Sequence, residues 1–328
     1  MGGPALGGPS PPEVAVATLV TVAEVEAGAS ARSRHDRPRA TVSRNSGDRA
    51  FTGASTKGRY DNLSFVDLLV TIGLDPALVD SLRQRLEARV VAYPAVPRVY
   101  SVDGQVRVES ASVTGRWLEP GGVLFYGYFE DAGPARRALA LASTPTFPDV
   151  GATLPLDERA MALLLALRAD GRLSGRGFVP SGVAVTVESE HVLKWGNRHC
   201  GEDKARVTGK VDPVGDAVIE PFVAGRSVRM LIVGDKAWQL HYESNDWRKN
   251  VGATITVADV DLGLLARTRR TVDRLGLALA GVDYVVTGTD AVLLEVNAYP
   301  GLEDLPDASE AFLGMAESWW NGIVKGPR

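Results

Sequence analysis

The sequence reads as an α+β chain: a disordered Gly/Pro/Arg-rich tail over 1–58, a small α/β unit over 59–145 and a larger α+β unit over 146–328. Three observations carry that reading. Composition changes sharply near residue 58, from Gly, Pro, Ala and Arg to a normal apolar mixture. From Val183 onward short strand-like runs dominate, with one amphipathic helix among them. Near its C-terminus the chain forms an apolar hairpin carrying two acids and an amide, followed by a last helical stretch.

Bulk properties remove several function classes. The chain has 328 residues, enough for two or three packed units with a real core. A formal net charge of −4 gives no field that would gather nucleic acid. Cys200 is the single cysteine, which excludes a disulfide scaffold and any multi-cysteine metal site. The four histidines (35, 191, 199 and 241) lack metal-ligand spacing. The most apolar early stretch, Val14–Val25, contains Glu24, follows Glu13 and has no basic lead, so neither a membrane span nor a secretory signal is expected. The expectation is a cytoplasmic protein with no membrane or nucleic-acid partner; a homo-oligomer stays open.

Elements follow in order. The tail carries Arg32, Arg34, Arg37, Arg39, Arg44 and Arg49, and reads as a solvated segment, an electrostatic arm or a start assigned too early. Ser64–Val70 and Pro76–Arg89 show helical periodicity, with Asp75 placed as a cap and Pro76 in the first turn. Strands are expected at Arg98–Val102, Gln105–Glu109 and Val123–Tyr128, the first two joined by Asp103-Gly104. Tyr126–Asp131 suits either core packing or a ligand cleft. A short helix over Gly133–Ala142 precedes the boundary at Thr144–Pro148, and Leu156–Leu167 is strongly helical, with Asp157 and Glu158 in its first turn. Gly171–Gly177 reads as a mobile connector. Six strands follow, at Val183–Val187, His191–Trp195, Lys204–Val207, Ala217–Phe222, Ser227–Val233 and Ala237–His241; then a helix at Val260–Leu275, the hairpin, and a helix over Ala308–Trp320 whose Trp319 and Trp320 suit packing.

The hairpin pairs Gly281–Val286 with Ala291–Asn297 around a Thr287–Asp290 turn. A turn centred on Thr289 sets Asp283 opposite Glu295, with Asn297 two residues on along the same face. Two carboxylates about 5 Å apart repel by roughly 3 kcal/mol at an effective dielectric near 20. A divalent cation removes that penalty. Two acids plus an amide oxygen make a hard donor set suited to Mg²⁺ (one ion or two, with Mn²⁺ as a substitute) completed by phosphate oxygens and water. The plain alternative is three solvated polar positions on an edge hairpin.

Other segments carry chemistry of their own. Lys194 ends a strand, a polar loop with Gly196 and Gly201 follows, and Lys204 opens the next strand. That loop can offer backbone N–H groups and point charges to phosphates, although a lysine before a turn is commonplace. Glu220-Pro221-Phe222-Val223 ends a strand; a carbonyl at Pro221 and an N–H at Val223 suit the edge of an adenine, and an edge strand with a proline is an equal reading. Arg229 lies on a strand facing the same way as Ser227, and Arg248 and Asn250 sit in a loop before Gly252. A Walker-type phosphate loop, a dinucleotide fingerprint and a Gly-x-Ser-x-Gly elbow are all absent.

The order of these segments resembles the ATP-grasp superfamily over about residues 146–328. Lys194-Trp-Gly-Asn-Arg-His-Cys-Gly-Glu-Asp-Lys204, Glu220–Val223 and Asp246-Trp-Arg-Lys-Asn-Val-Gly252 are similar to synapsins. Ala280–Tyr284 and Leu294–Gly301 look like RimK-type glutamate ligases and glutathione synthetases. The resemblance implies two α+β subdomains clasping ATP behind a small pre-grasp unit. It implies ATP held by Lys194, Lys204 and the hinge Glu220, Pro221, Phe222 and Val223, with metal on Asp283, Glu295 and Asn297. Arg229, Arg248 and Asn250 would then act on the reacting phosphoryl group. The implied activity joins a small-molecule or peptide carboxylate to an amine through an acyl phosphate; the alternative is a synapsin-like regulatory or scaffold protein that binds ATP without ligating. Asn297 favours the ligase, because synapsins do not keep the Glu-x-Asn ending. Three departures stand out. Asp157-Glu158-Arg159 replaces an Asp-Lys pair, leaving Arg159 one position late to supply that charge; Ala224-Gly225 offer no acid for the ribose; and Ser227 stands where an acid is common.

Overall fold

The computed structural model describes residues 67–172, 175–196, 203–248, 251–288, 290–302 and 305–325. The tail expected over 1–58 lies outside them. No described helix is long and apolar enough to cross a membrane.

The first unit is built on a parallel sheet. Its strands are β1 (Leu68–Ile72), β2 (Arg89–Tyr93), β6 (Gly122–Phe125) and β7 (Thr146–Phe147), in the order β2-β1-β6-β7. Helix α1 (Pro76–Arg85) links β1 to β2, and the Asp75 carboxylate accepts from the Ala77 N–H at 2.8 Å, as the capping pattern implies. The helix expected at Ser64–Val70 is a correction: Leu68–Val70 belong to the central strand β1. A strand buried on both faces presents a continuous apolar run, which periodicity cannot separate from a short helix. Arg89 likewise opens β2 rather than ending α1. A three-stranded meander, β3 (Val99–Val102), β4 (Gln105–Glu109) and β5 (Trp117–Leu118), stands between β2 and β6, and α2 (Gly133–Leu141) follows.

A short helix α3 (Val150–Thr153) leads to α4 (Arg159–Asp170). Glu158 caps α4 by accepting from the Ala160 and Met161 N–H groups, so Asp157 and Glu158 precede the helix instead of forming its first turn. An antiparallel sheet then runs β10-β9-β11-β8, from β8 (Gly177–Val179), β9 (Val185–Trp195), β10 (Lys204–Val211) and β11 (Ala217–Pro221). The two runs expected at 183–187 and 191–195 are one strand, and the polar Glu188-Ser-Glu190 between them falls where its register with β10 shifts, between Val207 and Gly209.

The last sheet, β14-β13-β12-β15-β16, comprises β12 (Arg226–Val233), β13 (Lys236–Glu243), β14 (Thr254–Ala258), β15 (Leu279–Thr287) and β16 (Asp290–Asn297), with α5 (Leu262–Arg274) between β14 and β15. Strand β14 was not expected; it is a short edge strand with no buried residue, so it lacks the apolar run that marks its neighbours. Helix α6 (Pro306–Lys325) closes the chain against the first sheet. There Phe312 meets Tyr126 and Phe147 (ring centroids 5.1 and 5.7 Å), and Trp319 meets Phe147 at 5.6 Å. The two tryptophans therefore pack, as expected. One continuous core joins the parallel sheet, the five-stranded sheet and the helices between them.

Phe312 is fully buried, so Phe312→Ala should lower the unfolding free energy by roughly 3–5 kcal/mol. Chemical denaturation followed by circular dichroism checks this; a loss below about 1 kcal/mol would mean that α6 does not clamp the first sheet.

Candidate active site

The β15–β16 hairpin brings its acids together by a route the sequence does not reveal. Thr287 pairs with Asp290, so the turn is centred between positions 288 and 289 rather than on Thr289. That register alone would set Asp283 opposite Leu294. A bulge intervenes: Tyr284 pairs with Leu293, Asp283 pairs with Glu295, and Leu294 is the extra residue. The predicted facing pair is therefore present, and Leu294 is displaced to line the cleft. Asn297, opposite Gly281, sends its amide to both carboxylates, at 3.2 Å from Asp283 Oδ2 and 3.5 Å from Glu295 Oε1.

Arg229 neutralises Asp283. They are register neighbours on β12 and β15 and form a bidentate pair, Nε to Oδ1 at 2.6 Å and Nη2 to Oδ2 at 2.9 Å. Gly281 makes room for this guanidinium, since a Cβ there would meet Arg229 Cδ at 3.2 Å and Pro300 Cβ at 3.1 Å. Burial is the largest influence on Asp283 and lifts its pKa above the ordinary carboxylate value despite Arg229. Burial also opposes ionisation of Glu295, but Lys204, Lys194 and Arg229 outweigh it and hold that carboxyl below its ordinary value. Lys204 Nζ lies 3.8 Å from Glu295, and burial lowers the lysine's own pKa.

The opposite wall comes from the four-stranded sheet. Lys194 on β9 and Lys204 on β10 are direct register partners, so both ammonium stems leave one face side by side. Arg159, at the start of α4, donates to the Trp195 carbonyl at 2.6 Å and lines the same space. The cation that stands one position late in the sequence thus does reach the lysines. Pro221, Phe222 and Val223 line the cleft between the sheets, and the Phe222 N–H donates to the Glu190 carbonyl at 2.9 Å. Glu220 differs from expectation in one respect: its side chain, read only as part of a backbone hinge, is a buried carboxylate joined to Lys194 Nζ at 2.5 Å and to Arg176 Nε at 3.1 Å.

Arg248 also lines the cleft and is held by Asp246, with Nη2 to Oδ2 at 2.6 Å. Its hydrogen bonds bring the Asp246 pKa down to about 2. Trp247 stands beside it, its ring edge-on to Phe222 at 6.4 Å. Asn250 and the body of the expected phosphate loop, 197–202, lie outside the described residues. Tyr128, within the Tyr126–Asp131 segment read as core or cleft, lines the space beside Glu295 and Asn297. Sequence reasoning missed the Arg176–Glu220 contact and Trp247. An arginine in a Gly-rich connector and an aromatic in a polar loop carry no signal until the fold brings them to the cleft.

A hard divalent cation fits this donor set. Asp283 and Glu295 set carboxylate oxygens side by side, and Asn297, whose Nδ2 faces both, adds its Oδ1 once the amide is turned over. Among the described residues no three His, Cys, Asp or Glu side chains cluster.

No protein-family model matches the chain. A stretch of 101 residues, 28% of the chain, is 34% identical to a probable alpha-L-glutamate ligase of Sodalis glossinidius. It spans only about a third of that relative's length. Among solved structures, D-alanyl-alanine synthetase A of Vibrio cholerae matches 79% of this chain and 97% of its own, with a TM-score of 0.52 at 12% identity. The ATP-grasp ligase PsnB, solved with a minimal precursor, matches 79% of this chain and 99% of its own, with a TM-score of 0.51 at 14% identity.

Removing Asp283 strands the Arg229 cation. Asp283→Ala should cost about 3 kcal/mol of stability in the absence of divalent cations, and Arg229→Leu in the same chain should restore most of it. Denaturant titrations of the two single variants and the double variant check this; strictly additive losses would mean the pair is not coupled.

Proposed function

We propose that this chain, which has the ATP-grasp fold, is an ATP-dependent carboxylate–amine ligase. The observation that carries the proposal is the convergence of Asp283, Glu295 and Asn297 on one side of a cleft whose other side presents Lys194 and Lys204. Acids and lysines facing each other across a cleft suit a bound polyphosphate: the lysines meet its oxygens, and the acids hold the cation that accompanies it. The partial match to glutamate ligases and the fold shared with ligases support the same class.

In this reading ATP is the first substrate and enters between the sheets, its base against Pro221–Val223 and its phosphates toward Lys194 and Lys204. Asp283, Glu295 and Asn297 would hold magnesium, which would supply positive charge to the phosphates. Arg229, paired with Asp283 in this structure, would face the reacting oxygens once Asp283 is engaged by the cation. Arg248, held by Asp246 beside the cleft, acts on the same oxygens, and Asn250, two positions on in the sequence, is assigned to that group from the resemblance alone. A substrate carboxylate takes the γ-phosphoryl group to give an acyl phosphate and ADP; an amine then attacks the acyl carbon, and phosphate leaves with the C–N bond formed. Phosphoryl transfer of this kind needs positioning and charge compensation more than covalent help, which is what these residues offer. An amino acid or short peptide is the substrate class.

Glu295→Ala should abolish ATP turnover with the circular dichroism spectrum and cooperative unfolding retained. The assay is ADP release over a panel of amino acids and acidic peptides, with mass detection of the ligated product. Near-normal ADP formation by Glu295→Ala, in a mixture that activates the parent, rejects the metal site. ADP release that needs no amine rejects ligation in favour of simple phosphorylation.

A further inference from the structure

Arg176 links the two sides of the cleft, and no feature of the assigned chemistry uses it. It immediately precedes β8 in the four-stranded sheet, with its side chain only 9% exposed. Its Nε bonds to Glu220 Oε2 at 3.1 Å, and its Nη2 donates to the Leu293 carbonyl on β16 at 2.5 Å. Leu293 adjoins the bulge that sets Asp283 opposite Glu295. The other oxygen of Glu220, Oε1, holds Lys194 Nζ at 2.5 Å, and the Glu220 side chain is 3% exposed. The connector itself presses on the hinge: a Cβ on Gly175 would meet Pro221 Cγ at 3.0 Å.

We propose that Arg176 is a positioning residue for the nucleotide site, dividing the charge of Glu220 so that Lys194 keeps its own, and fixing the lysine's sheet to the metal-binding hairpin. This rests on the ATP-binding reading given above. The charge count makes the argument. With Arg176 present, the buried cluster of Lys194, Glu220 and Arg176 carries one net positive charge facing the cleft. Without it, Lys194 and Glu220 form a closed neutral pair, and a buried ion pair with no third partner is costly to open. A phosphate would then compete with Glu220 for the ammonium group. The tie to Leu293 adds a geometric effect, because the distance between Lys194 and the bulge is spanned by one rigid guanidinium accepting no other role.

The test is calorimetric titration of the full chain with magnesium and the non-hydrolysable analogue AMPPNP, with adenosine as a base-only probe. Arg176→Met should weaken AMPPNP binding by about tenfold or more and leave adenosine binding within about twofold. Adding Glu220→Gln to Arg176→Met should recover most of the loss, because the amide no longer neutralises Lys194. Arg176→Lys should fall between parent and Arg176→Met, keeping the charge but losing the fork to Leu293. Unchanged AMPPNP affinity in Arg176→Met overturns the inference, as does an equal loss for adenosine and AMPPNP that Glu220→Gln fails to reverse, which would mark a purely structural residue. If the parent binds AMPPNP no better than Lys194→Ala does, the ATP reading itself fails and this inference with it.

Discussion

Two carboxylates held face to face across a hairpin are unstable unless positive charge lies between or beside them, and much of this cleft can be understood from that constraint. Asp283 and Glu295 are register partners and both are half-buried, so solvent screens their repulsion only in part. The chain answers with Arg229 on one acid and Lys204, Lys194 and Arg229 around the other. The outcome is unequal: burial pushes the Asp283 carboxyl up despite Arg229, whereas Lys204, Lys194 and Arg229 outweigh burial at Glu295 and hold it down. In the proposed reading a divalent ion would relieve both acids together and take over the compensation that Arg229 gives Asp283.

The walls of the cleft are held to that geometry from several directions. The five-stranded sheet fixes Arg229 and Asp283 as neighbours, and the segment after Asn297 is anchored through Tyr299, whose hydroxyl lies 2.9 Å from Thr153 Oγ1 on α3 and whose ring packs against Phe125 on β6. Behind the hairpin, Arg267 on α5 grips the buried Asp170 carboxylate at the end of α4 through two contacts of 2.6 Å and also reaches the Ala291 carbonyl. Since Arg159 opens α4, this clamp at the far end of the helix sets where that cation stands beside Lys194 and Lys204. The same arginine-centred construction recurs at Arg176. Arg267 and Arg176 each join a carboxylate to a backbone carbonyl and so tie elements distant in sequence.

Legibility in the sequence followed the range of the interaction. The Asp75 cap, the α5 and α6 stripes and the apolar hairpin arms were readable because each depends on neighbours a few residues apart. The facing of Asp283 and Glu295 was also predicted, but from a turn centre one half-position off; the bulge at Leu294 restored the pairing and left no mark in the residue pattern. Strand β1 read as a helix because burial on both faces erases alternation. The Arg176–Glu220–Lys194 cluster was invisible for a different reason: its members lie 18 and 26 residues apart, and charged residues are ordinarily solvated, so nothing local distinguishes a buried one. Lys194, Lys204 and the hinge were found through segment order, which topology preserves when spacing does not.

The most direct measurement is a crystal structure with AMPPNP and magnesium. The account predicts a cation held by Asp283, Glu295 and Asn297, phosphate oxygens facing Lys194 and Lys204, and Arg229 turned at least partly away from Asp283. A nucleotide bound elsewhere, or an intact Arg229–Asp283 pair with no cation beside Glu295, would contradict it.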